Sequence, residues 1–260
     1  MPDRPWKDEY TLLCEKCGYV IEGLETDGNC PECGKPIVES LPERRVGTPW
    51  QQKPGVGSLV RTWWMTLRHP LRTLDVMRIQ PVRLSSVIIN PFLLLALLFF
   101  ATFFMPALFL GIESLILLIL LPVYLGIGSI LVFLTIGLMR VESLGLRTIS
   151  RQRGFRITKD ISRQIVAHGS IGWVIVFAGM CNFWNFYLLS KFLTNSENNT
   201  FNQLNGVAYV AGLTTLVVSF LAGFLFFETF AYLGLRRLKY ANRIGPDSGS
   251  EPMPETQRTT

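Results

Sequence analysis

From residue 87 onward, long apolar runs alternate with short basic or polar stretches. Runs at 87–110, 115–139, 165–189 and 206–235 each meet or exceed the ~20 residues that an α-helix needs to cross a bilayer's hydrocarbon core, and they predict four transmembrane helices. Upstream, residues 59–83 place Val60, Trp63, Trp64, Leu67, Leu71, Leu74 and Met77 at helical spacing between arginines, with Pro70 restarting the helix. That pattern predicts amphipathic helices lying on a membrane surface, with Trp63 and Trp64 at headgroup level and Arg61, Arg68 and Arg72 near anionic lipid. Residues 19–24 and 35–38 read as short strands joined through a turn at Asp27-Gly28-Asn29. Residues 39–58, rich in Pro, Gly and Gln without apolar periodicity, read as a flexible linker, and 244–260 as a disordered tail behind a short 1–9 extension at the other end.

Charge gives the spans a direction. The connection at 140–164 carries Arg140, Arg147, Arg151, Arg153, Arg156, Lys159 and Arg163 against Glu142 and Asp160, so it belongs on the cytoplasmic side. Arginines before the first span, and Arg236, Arg237, Lys239 and Arg243 after the last, bring both termini to the same side. The turn Gly111-Ile112-Glu113-Ser114 and the asparagine-rich stretch 190–205 are the outer loops. The expected location is a membrane with both termini on its cytoplasmic side, the bilayer being one partner. Residues 1–43 are the exception to the basic balance, with ten Asp or Glu against four Lys or Arg. That acidity argues against nucleic acid as a partner, because phosphate binding needs clustered cations on the binding module.

The chemistry lies in that acidic segment. Cys14-Glu15-Lys16-Cys17-Gly18 and Cys30-Pro31-Glu32-Cys33-Gly34 are two CxxC pairs, each followed by the glycine that a tight turn requires. Four thiolates at this spacing close a tetrahedral zinc site at Cys14, Cys17, Cys30 and Cys33; iron uses the same ligand set. With four sulfurs and no fifth donor the ion is structural, and it stabilises a ribbon at 10–38 too small to fold by burial alone. Disulfides are the competing reading, and they require an oxidising compartment. The remaining Cys181 sits in an apolar run as a small hydrophobe. The predicted fold class is therefore an all-α polytopic membrane domain (four transmembrane helices) with a small N-terminal β zinc ribbon.

Inside the spans, ionisable groups are few. His168 and Glu228 fall at similar depth near the cytoplasmic side, and Asn182 and Asn185 lie in the third span, together forming a candidate intramembrane polar site. Pro106 and Pro122 are candidate kinks, while Gly126 and Gly128 are candidate points of close helix approach. No nucleophile elbow, phosphate loop or HExxH run supports an enzyme.

Thr62-Trp63-Trp64, Asn90-Pro91 at the first span, Gly154-Phe155-Arg156-Ile157-Thr158-Lys159, and Ala167-His168-Gly169-Ser170-Ile171-Gly172-Trp173 together resemble the Yip-type membrane domain, named for proteins that interact with Rab GTPases. The N-terminal knuckles look like ribbons found before such domains in bacterial proteins. That family usually has five spans where four are read here, and its Rab-binding members lack the ribbon. The resemblance implies a helical membrane domain without enzymatic machinery. The functional expectation is a non-enzymatic adaptor or scaffold that acts through a cytoplasmic or membrane protein partner, as an oligomer or a complex subunit. The alternative is a small transporter or channel in which the polar residues of the third and fourth spans line a pathway.

Overall fold

The computed structural model describes residues 8–80, 114–194 and 199–243. The apolar run at 87–110, Pro106, most of the turn at 111–114 and the tail at 244–260 lie outside them. Seven α-helices are used below: α1 Pro49–Gln52, α2 Val56–Arg68, α3 Pro70–Val76, α4 Ser114–Gln152, α5 Lys159–Gly169, α6 Ile171–Thr194 and α7 Asn199–Arg237. Three helical stretches, Gly128–Gln152, Lys159–Tyr187 and Gly206–Arg237, are long and apolar enough to cross a membrane.

The second predicted run ends at Met139, whereas α4 continues to Gln152 and absorbs much of the expected basic connection. Gly128, Val132, Thr135, Met139, Ser143, Leu146 and Ser150 are buried at spacings of three and four residues, a single helical stripe that does not stop where the charges begin. Arg140 and Arg151 occupy exposed positions of the same helix. Pro122 lies within α4, which runs past it.

The third run is divided. The helix breaks at Ser170, whose hydroxyl donates to the carbonyl of Ala167 at 2.6 Å, a local bond that competes with continued helix beside the poor helix former Gly169. Beyond the break, α6 packs tightly on α7 through small residues. A Cβ placed on Gly172 would overlap the carbonyl oxygen of Gly223, and one on Gly179 would overlap the side chain of Ser219. Such residues let two backbones approach where lipid offers no hydrophobic drive for association. Gly126, expected to serve this purpose, has open space where a side chain would stand.

Chain contacts divide the protein into two units, Met1–Val82 with Leu144–Ile165 and Tyr232–Thr260, and Arg83–Ser143 with Val166–Ala231. The first unit holds Cys14, Cys17, Cys30 and Cys33. Residues 39–58, expected as a flexible linker, there carry part of a 3-10 turn (Ile37–Ser40), a second (Pro42–Arg44) and α1. Thr48 and Arg45 are buried. Gln51 fastens α1: its side-chain carbonyl accepts from the N–H groups of Thr48 and Arg78, and its amide donates to Arg78 O and Gln164 Oε1. Pro70 opens α3 at its first position, where the missing N–H costs nothing.

Candidate metal centre

The cysteine segment is an internal repeat offset by sixteen residues. In the first knuckle Gly18 N donates to Cys14 O at 2.9 Å, Cys14 N to Tyr19 O at 2.8 Å and Ile21 N to Leu12 O at 2.9 Å. In the second, Gly34 N donates to Cys30 O at 2.9 Å, Cys30 N to Lys35 O at 2.8 Å and Ile37 N to Gly28 O at 3.0 Å. Gly18 and Gly34 hold φ of +86° and +70°, the left-handed region that glycine reaches without penalty. The strands expected at 19–24 and 35–38 do not form. Among the described residues, pairing is confined to the bridges Leu13↔Val20 and Asn29↔Pro36, and Ile37–Ser40 is a 3-10 turn. Each knuckle turns back after one pair, leaving no run of residues to extend a ladder. Cys14, Ile21, Cys30 and Ile37 form the shared core, flanked by Leu12, Cys17, Cys33 and Leu41.

The four sulfurs lie within 4.8 Å of one another. Cys14 Sγ is 3.5 Å from Cys33 Sγ, and Cys17 Sγ is 3.6 Å from Cys30 Sγ. Zinc–sulfur bonds of ~2.3 Å place tetrahedral sulfur–sulfur edges at about 3.8 Å, so the donor set fits one such ion. None of the five cysteines is in a disulfide. Burial raises the Cys14 thiol, but the N–H groups of Cys17 and Lys16 and the neighbouring thiols outweigh it and bring it down to about 7. Burial pushes Cys17 and Cys33 up; the adjacent thiols add to the rise at Cys17, whereas at Cys33 those of Cys14 and Cys30 raise it and that of Cys17 lowers it. Four thiolates this close repel one another unless a cation lies between them. A bound metal would supply that charge and tie the two knuckles together.

Buried polar side chains join this cluster to distant parts of its unit. Glu15, between the ligands of the first knuckle, accepts both Nε and Nη2 of Arg45 at 3.0 to 3.1 Å. Arg45 is only 2% exposed, and its Nη1 donates to the carbonyls of Leu74 at 2.8 Å, Asp75 at 3.2 Å and Met77 at 3.4 Å. A buried guanidinium thus meets a carboxylate on one side and the negative end of α3 on the other. Asn242, beyond α7, accepts from Leu13 N at 3.0 Å and donates to Leu13 O at 2.7 Å and Ser40 O at 2.5 Å. Arg156 donates to Thr11 O, Ala241 O and Asn242 Oδ1. Burial brings its guanidinium down to about 10, against the opposing pull of Asp8 and Glu15. The ring of Tyr240 rests on Gly18, 2.9 Å from where a Cβ would stand, and burial followed by Cys17 and Glu32 raises its hydroxyl.

The other expected site residues fall elsewhere. His168 lies in the last turn of α5 and Glu228 in α7, both half-buried. Gly169, beside His168, packs against Phe227 and Phe230, which bracket Glu228, so the two stretches meet. Asn182 is exposed and donates to the carbonyl of Ala178 at 2.8 Å, and Asn185 is exposed. Cys181 is half-buried, as a packing residue would be. Trp64, Arg61, Arg68 and Arg72 are exposed, and Trp63 is half-buried.

Sequence reasoning did not find Glu15, Arg45, Arg156 or Asn242 as a set. A buried arginine has the same one-letter signature as a surface one, and only an acid set between two ligands hinted at a partner. No protein-family model, curated protein or solved structure matches the chain.

Proposed function

We propose that the chain is a non-enzymatic membrane adaptor or scaffold whose Cys14, Cys17, Cys30 and Cys33 hold one structural zinc and present a cytoplasmic surface to a protein partner. The observation that carries this reading is the closed donor set. All four sulfurs face one another in a repeated frame, which leaves no open coordination position for a substrate or an activated water. The surface of the knuckles is exposed and acidic, with Glu22, Glu25, Asp27 and Glu32 exposed as are Tyr19 and Leu24. Such a surface suits a basic protein partner, and charge complementarity would govern encounter and register. Arg45, Arg156 and Asn242 hold the knuckles in place, so the partner meets a fixed platform. The Yip-type resemblance points the same way, and on this reading the chain has four spans in a bacterial inner membrane with both termini inside.

The test replaces that acidic surface and leaves the metal untouched. Proteins that co-purify with the full chain from solubilised membranes are compared between wild type and a Glu22→Lys, Glu25→Lys, Glu32→Lys variant, with metal content measured in both. Partners lost from the variant at unchanged metal content are the expected result. Identical partners in both would overturn the adaptor reading.

A further inference from the structure

Helix α2 is built inside out for a helix packed on a protein. Its inward face is Leu59, Thr62 and Thr66, and the two threonine hydroxyls donate to Ser58 O and Thr62 O at 2.8 Å each. Thr62 also accepts from Trp50 N at 3.0 Å. Its outward face is the more apolar one. Val56, Val60, Trp64 and Leu67 recur at spacings of four and three, which places them on one stripe of the helix, and they are 80%, 53%, 62% and 37% exposed. Leu71, in α3, is exposed as well. A contiguous outward patch of this kind marks a surface that something covers.

Charge narrows what that is. Arg61 and Arg68 follow Val60 and Leu67 in sequence and so flank the stripe along one edge, and Arg72 is exposed beside Leu71. The Arg68 guanidinium lies 5.7 Å from the Trp64 ring centroid. No Asp or Glu occurs in α2, and the nearby Asp75 is already paired with Arg237 at 2.8 and 3.1 Å. An indole and aliphatic side chains beside guanidinium groups that have no acidic partner among the described residues match the boundary between acyl chains and phosphate headgroups. The same chain carries three helices apolar enough to cross a bilayer, so lipid accompanies the protein wherever it resides.

We propose that the stripe Val56, Val60, Trp64 and Leu67, edged by Arg61, Arg68 and Arg72, is an interfacial anchor that seats on anionic lipid. The anchor indole is Trp64 and not its half-buried neighbour Trp63. The proposal stands apart from the adaptor reading, since it concerns a different surface and a different partner.

The experiment uses the full, metal-loaded chain reconstituted into vesicles of phosphatidylcholine with or without phosphatidylglycerol. The acyl chains carry bromine close to the headgroup, where it quenches nearby indoles. The Trp64 contribution is the difference between wild type and Trp64→Phe, and retained metal content reports that each variant is folded. The expected result is a quenching increment in wild type that is lost in Trp64→Phe, grows with phosphatidylglycerol, and falls in an Arg61→Gln, Arg68→Gln, Arg72→Gln variant. An increment equal in both lipids, and unchanged by the arginine substitutions, would overturn the anionic specificity. If aqueous acrylamide but not bromolipid quenches Trp64, the face is in water and the anchor is refuted. If neither reaches it, a protein surface covers the stripe, which refutes it equally.

Discussion

At the scale of single residues, the unit that holds the cysteine cluster depends on a few buried polar side chains whose partners are distant in sequence. Glu15→Gln would leave Arg45 without its counter-charge while the guanidinium stays buried. Breaking such a pair costs on the order of 3–5 kcal/mol, and thermal melting of the solubilised protein should show a clear fall in midpoint. Asn242→Ala would orphan Leu13 N–H and weaken the satisfaction of Leu13 O and Ser40 O. About 3 kcal/mol is expected from groups left unsatisfied in a buried setting, measured the same way; a change no larger than that of an exposed asparagine would show that these bonds carry little energy. The four cysteines were legible because ligand chemistry constrains both residue type and spacing. Arg45, Arg156 and Asn242 were not, because their roles arise from chain segments that meet only in the folded state.

At the scale of elements, local signals were reliable where one physical requirement dominates. The glycines after each CxxC pair do adopt positive φ, but their surroundings differ. Gly18 lies under the Tyr240 ring, whereas a Cβ on Gly34 would meet nothing within 4 Å. Gly34→Ala should therefore cost only the left-handed strain of about 1–2 kcal/mol, and Gly18→Ala should cost distinctly more and weaken metal retention in a chelator titration. Equal effects would remove Tyr240 from the account. The end of α4 was misread because charges were taken as a boundary, while the buried stripe through Ser143, Leu146 and Ser150 continues beneath them. Close helix approach is expected at Gly126 and Gly128, but glycine type alone does not say which face meets a neighbour: Gly128 is buried, Gly126 meets nothing, and Gly172, Gly179 and Gly223 are among the glycines in close contact. Gly172→Leu should force α6 and α7 apart, seen as lost stability with the metal centre unchanged.

At the scale of the whole molecule, the chain combines three candidate membrane-crossing helices with a cysteine cluster that is fastened within a larger unit. The sequence suggested a knob on a flexible tether, and hydropathy alone supports that picture. The bonds from Asn242 to Leu13, and from Arg156 to Thr11, instead join the first knuckle to segments more than a hundred residues away. A metal held by the four cysteines would thereby be linked to distant chain. Removing the metal with a chelator should speed amide hydrogen exchange at residues 13–37 and also at 238–243, which contain no ligand. Faster exchange confined to the knuckles would show that the two parts are energetically separate.

The central claim is that Cys14, Cys17, Cys30 and Cys33 close around one metal ion. X-ray absorption at the metal edge of the purified full chain tests it most directly. The account predicts one ion per chain with four sulfur neighbours at ~2.3 Å and no oxygen or nitrogen in the shell. A shell containing oxygen or nitrogen, or a chain purified without stoichiometric metal, would contradict it.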